Sequence, residues 1–215
     1  MCFSATASFL AGSTLLTLGA ITVHKTTDRR TLALAAVPLL FGGQQMIEGG
    51  LWLAALHHDE QLKSIMAHLF TMFSHVLWPV YIPFAIGMLE IIAWRKRTLW
   101  LLQLIGLSVG IHLLIQITTQ PLTAEAEAHV VYVSGHSYAW PMMILYMAAT
   151  CLAPLLSSQP LIRLFGAMAL LLFAIAYLFY TAAYISVWCF FAAILSTIIY
   201  LHINRSEQAA TKPCR

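Results

Sequence analysis

Charge is what this chain has least of. Only 9% of its 215 residues are Asp, Glu, Lys or Arg, where a soluble domain carries roughly a quarter. Eleven basic and eight acidic side chains cannot cover a water-facing globule of this length, so lipid must be the solvent for most of the surface. The net charge of +3 is too small for a nucleic-acid surface. No C-x-x-C occurs: Cys2, Cys151, Cys189 and Cys214 are spread over one end, two apolar stretches and the tail, which excludes a zinc ribbon and a disulfide framework. No lysine stands in the middle of an apolar stretch, so a retinal Schiff base has no partner. There is no internal repeat, low-complexity segment or heptad run. The N-terminus lacks the basic n-region of a signal peptide, and its apolar run is long enough to be read as a retained first helix.

What remains is apolar sequence, 60% of the chain with mean hydropathy +0.82. At about 20 residues per span, this length holds six to eight helices and no separate soluble domain. Seven stretches emerge, at Ser4–Val23, Thr31–Leu56, Leu62–Ile92, Thr98–Gln120, Tyr138–Leu156, Leu161–Thr181 and Ala182–His202. The third contains Pro79 and Pro83 and is expected to kink or tilt, since each proline removes a backbone bond four residues back. The sixth and seventh are nearly continuous; only their combined length separates them. Lysine and arginine set the orientation. Lys25, Arg29 and Arg30 lie in the first connection, Arg95, Lys96 and Arg97 in the third, Arg163 by the fifth, and Arg205, Lys212 and Arg215 in the tail. The connection at His57-His58-Asp59-Glu60 is acidic apart from Lys63 beyond it, and Pro121–His136 holds no lysine or arginine. The alternation predicts an all-α, seven-transmembrane helix bundle, N-terminus outside and C-terminus cytoplasmic. Residues 1–203 form the membrane domain, and 204–215 a short polar cytoplasmic tail expected to be disordered.

Ionisable groups inside a bilayer are costly and turn towards the bundle interior. At 1.5 Å per residue, Glu48 lies ~12 Å from the outer end of its span, His68 ~9 Å and His112 ~12 Å. Gln44 at ~18 Å and His75 at ~20 Å form a deeper level. Gln44, Glu48 and Trp52 follow i, i+4, i+8 and share a face; the glycine pairs Gly42-Gly43 and Gly49-Gly50 let neighbouring helices approach. His68 and His75 are two turns apart. Pro79 is expected to leave the carbonyl of His75 without its donor. Gln116 stands one turn outward from His112, and Trp188 is ~9 Å deep on the last span.

Two imidazoles and a carboxylate at one depth suit zinc or another transition metal, so Glu48, His68 and His112 are the expected ligands. Gln44, Trp52, His75 and Gln116 line the cavity around them. If such a site is catalytic, the metal polarises a water and Glu48 ligates or serves as base. Other readings of the same residues are a small polar ligand, a proton or solute relay through Glu48, His68 and His75, haem held by His75 and His112, and a hydrogen-bonded cluster that only locks helices together. Cys2 adds a thiol at the outer mouth which, once Met1 is removed, stands beside a free amine and can bind metal or act as a nucleophile; the bland alternative is a plain signal-anchor start. The His57–Glu60 loop reads as a solvated surface. Glu125, Glu127 and His129 form an ordinary outer loop or a lid. Glu90 suits an ion pair with Arg95 or Arg97, and Cys151 and Cys189 suit apolar packing.

The opening Met1-Cys2-Phe3-Ser4-Ala5-Thr6-Ala7-Ser8-Phe9, with Gln44-Gln45-x-x-Glu48-Gly49-x-x-Trp52 and Trp78-Pro79-x-Tyr81-x-Pro83, resembles a bacterial family of uncharacterised multi-spanning membrane proteins. The resemblance implies the same membrane fold, a multi-pass location in the bacterial inner membrane, and a family motif that includes Cys2, Glu48 and Trp52. It implies no substrate or reaction. The seven-helix metal-dependent hydrolases of the alkaline ceramidase and adiponectin-receptor type look similar in span number and intramembrane histidines. They carry H-x-x-x-H on the last helix, however, where this chain has only His202 at the cytoplasmic end.

Overall fold

The computed structural model describes residues 4–126, 130–134, 140–180 and 183–210. Each apolar stretch becomes helix, and the short polar side chains between stretches set the starts. Helix α1, Ala5–Lys25, begins where Ser4 Oγ accepts from the Ala7 N–H at 3.2 Å. Asp28 caps α2, Arg29–Ala35, through the Arg30 N–H. A turn at Ala36 restarts the chain as α3, Val37–Leu56, because Pro38 has no N–H to continue the ladder. Asp59 caps α4, Glu60–Thr71, through the Leu62 N–H. A π-helical turn, Met72–Leu77, leads into α5, Trp78–Leu89, and α6 covers Ala93–Thr119. After it come α7, Trp140–Met147, a second π turn, Ala148–Leu152, and the short α8, Ala153–Leu155. The last elements are α9, Pro160–Phe179, α10, Tyr184–Leu195, and α11, Thr197–Ala210.

Five of these runs are long and apolar enough to cross a membrane: Ala5–Lys25, Glu60–Leu89, Ala93–Thr119, Pro160–Phe179 and Tyr184–Ser206. The last two are separate, since Tyr180 leaves the helical region at φ −130°, ψ 48° before α10 begins. Trp140–Leu155 is apolar but shorter, and α3 carries three amide or carboxylate side chains. Leu56, Leu101, Leu104, Leu178 and Phe179 stand exposed on the outside of the bundle, as a surface solvated by acyl chains requires.

Two features depart from expectation. The connection after α6 is a β-hairpin, β1 at Leu122–Ala126 antiparallel to β2 at Val130–Ser134, with Ala124 opposite Tyr132. Its buried face, Leu122, Ala124 and Val130, packs on α3 and α4 at Leu51 and Ala67, and Tyr132 stacks on Phe70 with ring centroids 4.6 Å apart. Apolar and polar side chains alternate along Leu122-Thr123-Ala124-Glu125-Ala126, and Val130-Val131-Tyr132-Val133 is a run of strand formers. Secondly, α11 continues to Ala210, so residues 204–210 are helical, not disordered.

Glycine decides how the helices meet. The face of α1 made by Ser8, Gly12, Leu15, Gly19 and Thr22 is buried against α3. A Cβ on Gly19 would stand 2.5 Å from the Leu39 nitrogen, one on Gly42 would stand 2.7 Å from the Leu16 nitrogen, and one on Gly49 would meet the Phe9 ring. On α6 a Cβ at Gly106 would fall 1.8 Å from the Pro79 carbonyl oxygen, and one at Gly110 would meet Val80. Such contacts bring backbones together where lipid supplies no hydrophobic drive for helix association.

Both π turns end just short of a proline, Pro79 and Pro154. In the first, the Trp78 N–H reaches back five residues to the Phe73 carbonyl. The Ser74 carbonyl then has no helical donor: Trp78 is taken, and Pro79 has no N–H. The Tyr146 hydroxyl donates to it instead. The carbonyl that gains an outside donor is that of Ser74, one residue before His75.

Glu90 ties two links together. Its carboxylate accepts from the N–H groups of Ile91 and Ile92 at 3.1 and 3.0 Å and from that of Ser158, between α8 and α9, at 2.7 Å. The expected ion pair with Arg95 or Arg97 does not form, because peptide N–H groups take up the carboxylate first. Burial acts to raise the Glu90 pKa, but the donors at Ile92, Ser158 and Ile91 outweigh it and hold the group below the ordinary carboxylate value.

Two outcomes follow, each read by thermal unfolding in detergent. Gly106→Ala should cost about 3 kcal/mol or more, since the clash is with a backbone oxygen; Gly43→Ala, whose Cβ would meet nothing within 4 Å, should gain up to ~1 kcal/mol. Because the folded pKa of Glu90 is depressed, its stabilising contribution is complete above the unfolded value of roughly 4.3 and drains as pH falls through the folded value. Glu90→Gln should therefore lower stability at neutral pH and flatten that acid limb; an unchanged limb would deny Glu90 the role.

Candidate functional site: a buried polar layer on α3

Helix α3 is enclosed on several sides, by α1, α4 and α10. Its polar side chains consequently have no route to either surface. Gln44, Gln45 and Glu48 are all 0% exposed. Gln44 and Glu48, one turn apart, face α5 and α10; the Trp78 indole N–H donates to Gln44 Oε1 at 2.7 Å, and the Ser186 hydroxyl donates to Glu48 Oε1. Cys189, one turn along α10 from Ser186, lies beside both Gln44 and Glu48.

Around this pair stand buried polar atoms that no described residue satisfies. Among the described residues, Gln44 Nε2, both ends of the Gln45 amide, Ser8 Oγ on α1 and the Trp52 indole N–H lack a hydrogen-bond partner. Each such group costs about 1–3 kcal/mol when buried. A native interior normally satisfies nearly all of its polar groups, so several on adjoining turns of one helix mark a place built for something besides packing.

A second group flanks Trp188 of α10. Ser74 Oγ and His75 Nδ1 are hydrogen-bonded at 2.7 Å, and the Trp188 indole N–H donates to the Ala169 carbonyl at 2.9 Å. A cavity of about 40 Å³ is bounded by His75, Tyr146, Phe173 and Trp188. On the other side of Trp188 a cavity of about 20 Å³ is bounded by Trp78, Thr150 and Cys189. Trp188 is thus the wall between a space beside His75 and a space beside the α3 layer.

The expected residues do not all come together. Gln44, Glu48 and His75 are buried in the interior. Trp52 is half-buried beneath the hairpin, and Gln116 is half-buried on α6. His68 is half-buried on α4, its Nδ1–H donated to the Ser64 carbonyl of its own helix at 2.8 Å. His112 is exposed on the outer face of α6. The cause is the close seating of Gly106 and Gly110 on α5: the helix rotation that buries those glycines carries His112 about 140° away from the middle of the seam. The trio of Glu48, His68 and His112 is therefore not assembled, and among the described residues no group of three or more His, Cys, Asp or Glu is placed to hold a metal ion. His75 and His112 do not face one another either, and the cavity beside His75 is far too small for a porphyrin. Cys2, Glu127, His129, His136 and Tyr138 lie outside the described residues. In the His57–Glu60 loop, His58 takes a left-handed turn at φ 55°, Asp59 caps α4 and Glu60 pairs with Lys63 at 2.6 Å.

Sequence reasoning missed Gln45, Ser8, Ser186 and Cys189. Gln45 falls outside the face shared by Gln44 and Glu48. The signal for its burial was the glycine on both sides of the motif, Gly42-Gly43 and Gly49-Gly50, which implies close neighbours around much of the helix.

The chain belongs to a family of unknown function, DUF6629, whose model matches residues 1–214. No curated protein and no solved structure matches it.

Ser186→Ala, which strips the Glu48 carboxyl of its hydroxyl donor, should destabilise the protein by about 1–3 kcal/mol. His112→Ala should stay within about 0.5 kcal/mol of the parent. Equal losses in the two variants would return His112 to the interior and contradict the arrangement above.

Proposed function

We propose that this member of the family is a seven-span membrane protein that holds a small polar ligand against Gln44, Gln45 and Glu48 at the centre of the bundle. The observation that carries the reading is Gln45: fully buried, on the same helix as a buried carboxylate, with neither end of its amide paired among the described residues. The donors at Gln44, Gln45 and Trp52 and the acceptor at Gln45 suit a molecule offering both kinds of group. The reading assigns binding, not a reaction. It keeps Glu48 from the metal-site expectation and leaves His68 and His112 out.

A proton relay finds less support. Beneath the layer lie Leu34, Phe41, Ile82, Ile86 and Leu99, a continuous apolar cluster, and the carboxylate of Glu90 is already held by three peptide N–H groups.

The seven-span reading adds α2–α3 and Trp140–Leu155 to the five long apolar runs. The polar layer lowers the mean hydropathy of the former, but its polar groups are turned inward. The alternating basic connections support an orientation with Met1 outside. In a protein with Cys2 and Cys214 replaced by serine, a membrane-impermeant maleimide should label His57→Cys in intact cells and spare Arg97→Cys; the reverse pattern inverts the topology.

Binding is tested by melting the purified protein against a panel of small polar solutes and cations. At least one should raise the Tm of the parent, and Gln45→Leu and Glu48→Leu should abolish that shift. If Gln45→Leu is more stable than the parent and no solute distinguishes the two, the layer only joins helices.

A further inference from the structure

A larger cavity lies away from the polar layer, where the first turn of α2, the end of α5 and the start of α6 meet. It measures about 290 Å³ and is lined by Arg30, Phe84, Gly87, Lys96, Trp100 and Gln103, among others. We infer that it binds the headgroup and glycerol region of an anionic diacyl phospholipid. The inference rests on the chain being a membrane protein and not on the Glu48 site.

The lining divides as such a molecule does. Arg30 and Lys96, both exposed, bring two cations to the mouth from different helices. The one acid, Glu90, has both oxygens committed to the N–H groups of Ile91, Ile92 and Ser158, so an incoming anion meets a carboxylate already surrounded by peptide donors. Arg95 lies over its neighbour Trp94 at 5.2 Å and does not line the space. Below the mouth the wall is apolar and open to the side: Phe84, Met88 and Trp100 are 43%, 39% and 57% exposed, a surface for acyl chains. Gln103 stands seven residues along α6 from Lys96, ~10 Å deeper, with its Oε1 buried and without a partner among the described residues. A charged mouth, a polar group at ester depth and an apolar flank open to the bilayer fit a lipid better than a free anion, which would have no use for the flank. Interhelical basic pockets at the positively charged membrane face are a recurrent headgroup site.

Gly87 supplies the means to fill the cavity without disturbing the fold. A Cβ there would meet only the Leu99 Cβ, at 4.0 Å, so a larger side chain enters the cavity and not the core.

The test is native mass spectrometry and melting of the detergent-purified protein, titrated with phosphatidylglycerol, with phosphatidylcholine of the same chains, and with inorganic phosphate. Phosphatidylglycerol should bind roughly tenfold more tightly than phosphatidylcholine, and phosphate alone should give no shift. The double variant Arg30→Gln, Lys96→Gln should remove the preference while melting normally without lipid, and Gly87→Leu should weaken both lipids. Equal binding of the two lipids, a preference that survives the double variant, or full protection by phosphate would each overturn the inference. None of these outcomes touches the ligand test on Gln45 and Glu48.

Discussion

The whole structure depends on backbone meeting backbone at glycine. In lipid, apolar side chains gain little by leaving acyl chains for one another, so helices associate where small residues allow dense packing and where polar groups find partners. The α1–α3 seam, with Gly19 on Leu39 and Gly42 on Leu16, fixes α3 inside the bundle. Once α3 is enclosed, Gln44, Gln45 and Glu48 cannot reach water or the headgroup region. They must be satisfied from within: the Trp78 indole donates to Gln44 and the Ser186 hydroxyl to Glu48, while neither end of the Gln45 amide has a partner among the described residues.

The same constraint operates at α5 and α6. Gly106 lies on the Pro79 carbonyl, and the missing N–H of Pro79 is absorbed by the π turn before it. That turn presents Ser74 and His75 towards Tyr146 and Trp188, and so opens the space beside His75. One glycine and one proline thus set both the rotation of α6 and the shape of the aromatic pocket. The cost is a weakened helical ladder, which recurs at functional sites because it re-aims side chains that a regular helix would hold elsewhere.

Helices and their order were legible in the sequence because lipid as solvent leaves an unambiguous apolar pattern. The burial of Glu48, Gln44 and His75 was legible because a polar group deep in an apolar run has nowhere else to turn. Depth alone misled for His112. Counting along an axis gives height and not rotation, and rotation was written in Gly106-x-x-x-Gly110, where the small residues name the contact face. His68 failed differently: near the end of its span, its own helix carbonyl at Ser64 satisfied the ring. The hairpin at 122–134 was hidden inside a connection assumed to be loop, although Val130-Val131-Tyr132-Val133 is rich in strand formers. Gln45 could not be placed by a two-sided view of α3, since a helix enclosed by several neighbours has no outer face to assign.

These elements describe a bundle that encloses an under-satisfied polar layer and places its remaining charge near the helix ends. The central claim is that the layer is a binding site and not a structural knot. An experimental map of the protein in a lipid nanodisc, at a resolution that shows side chains, tests it most directly. The account predicts non-protein density within hydrogen-bonding distance of the Gln45 amide and the Glu48 carboxylate. A map in which those groups pair with one another or with neighbouring helices, with nothing between them, would contradict it.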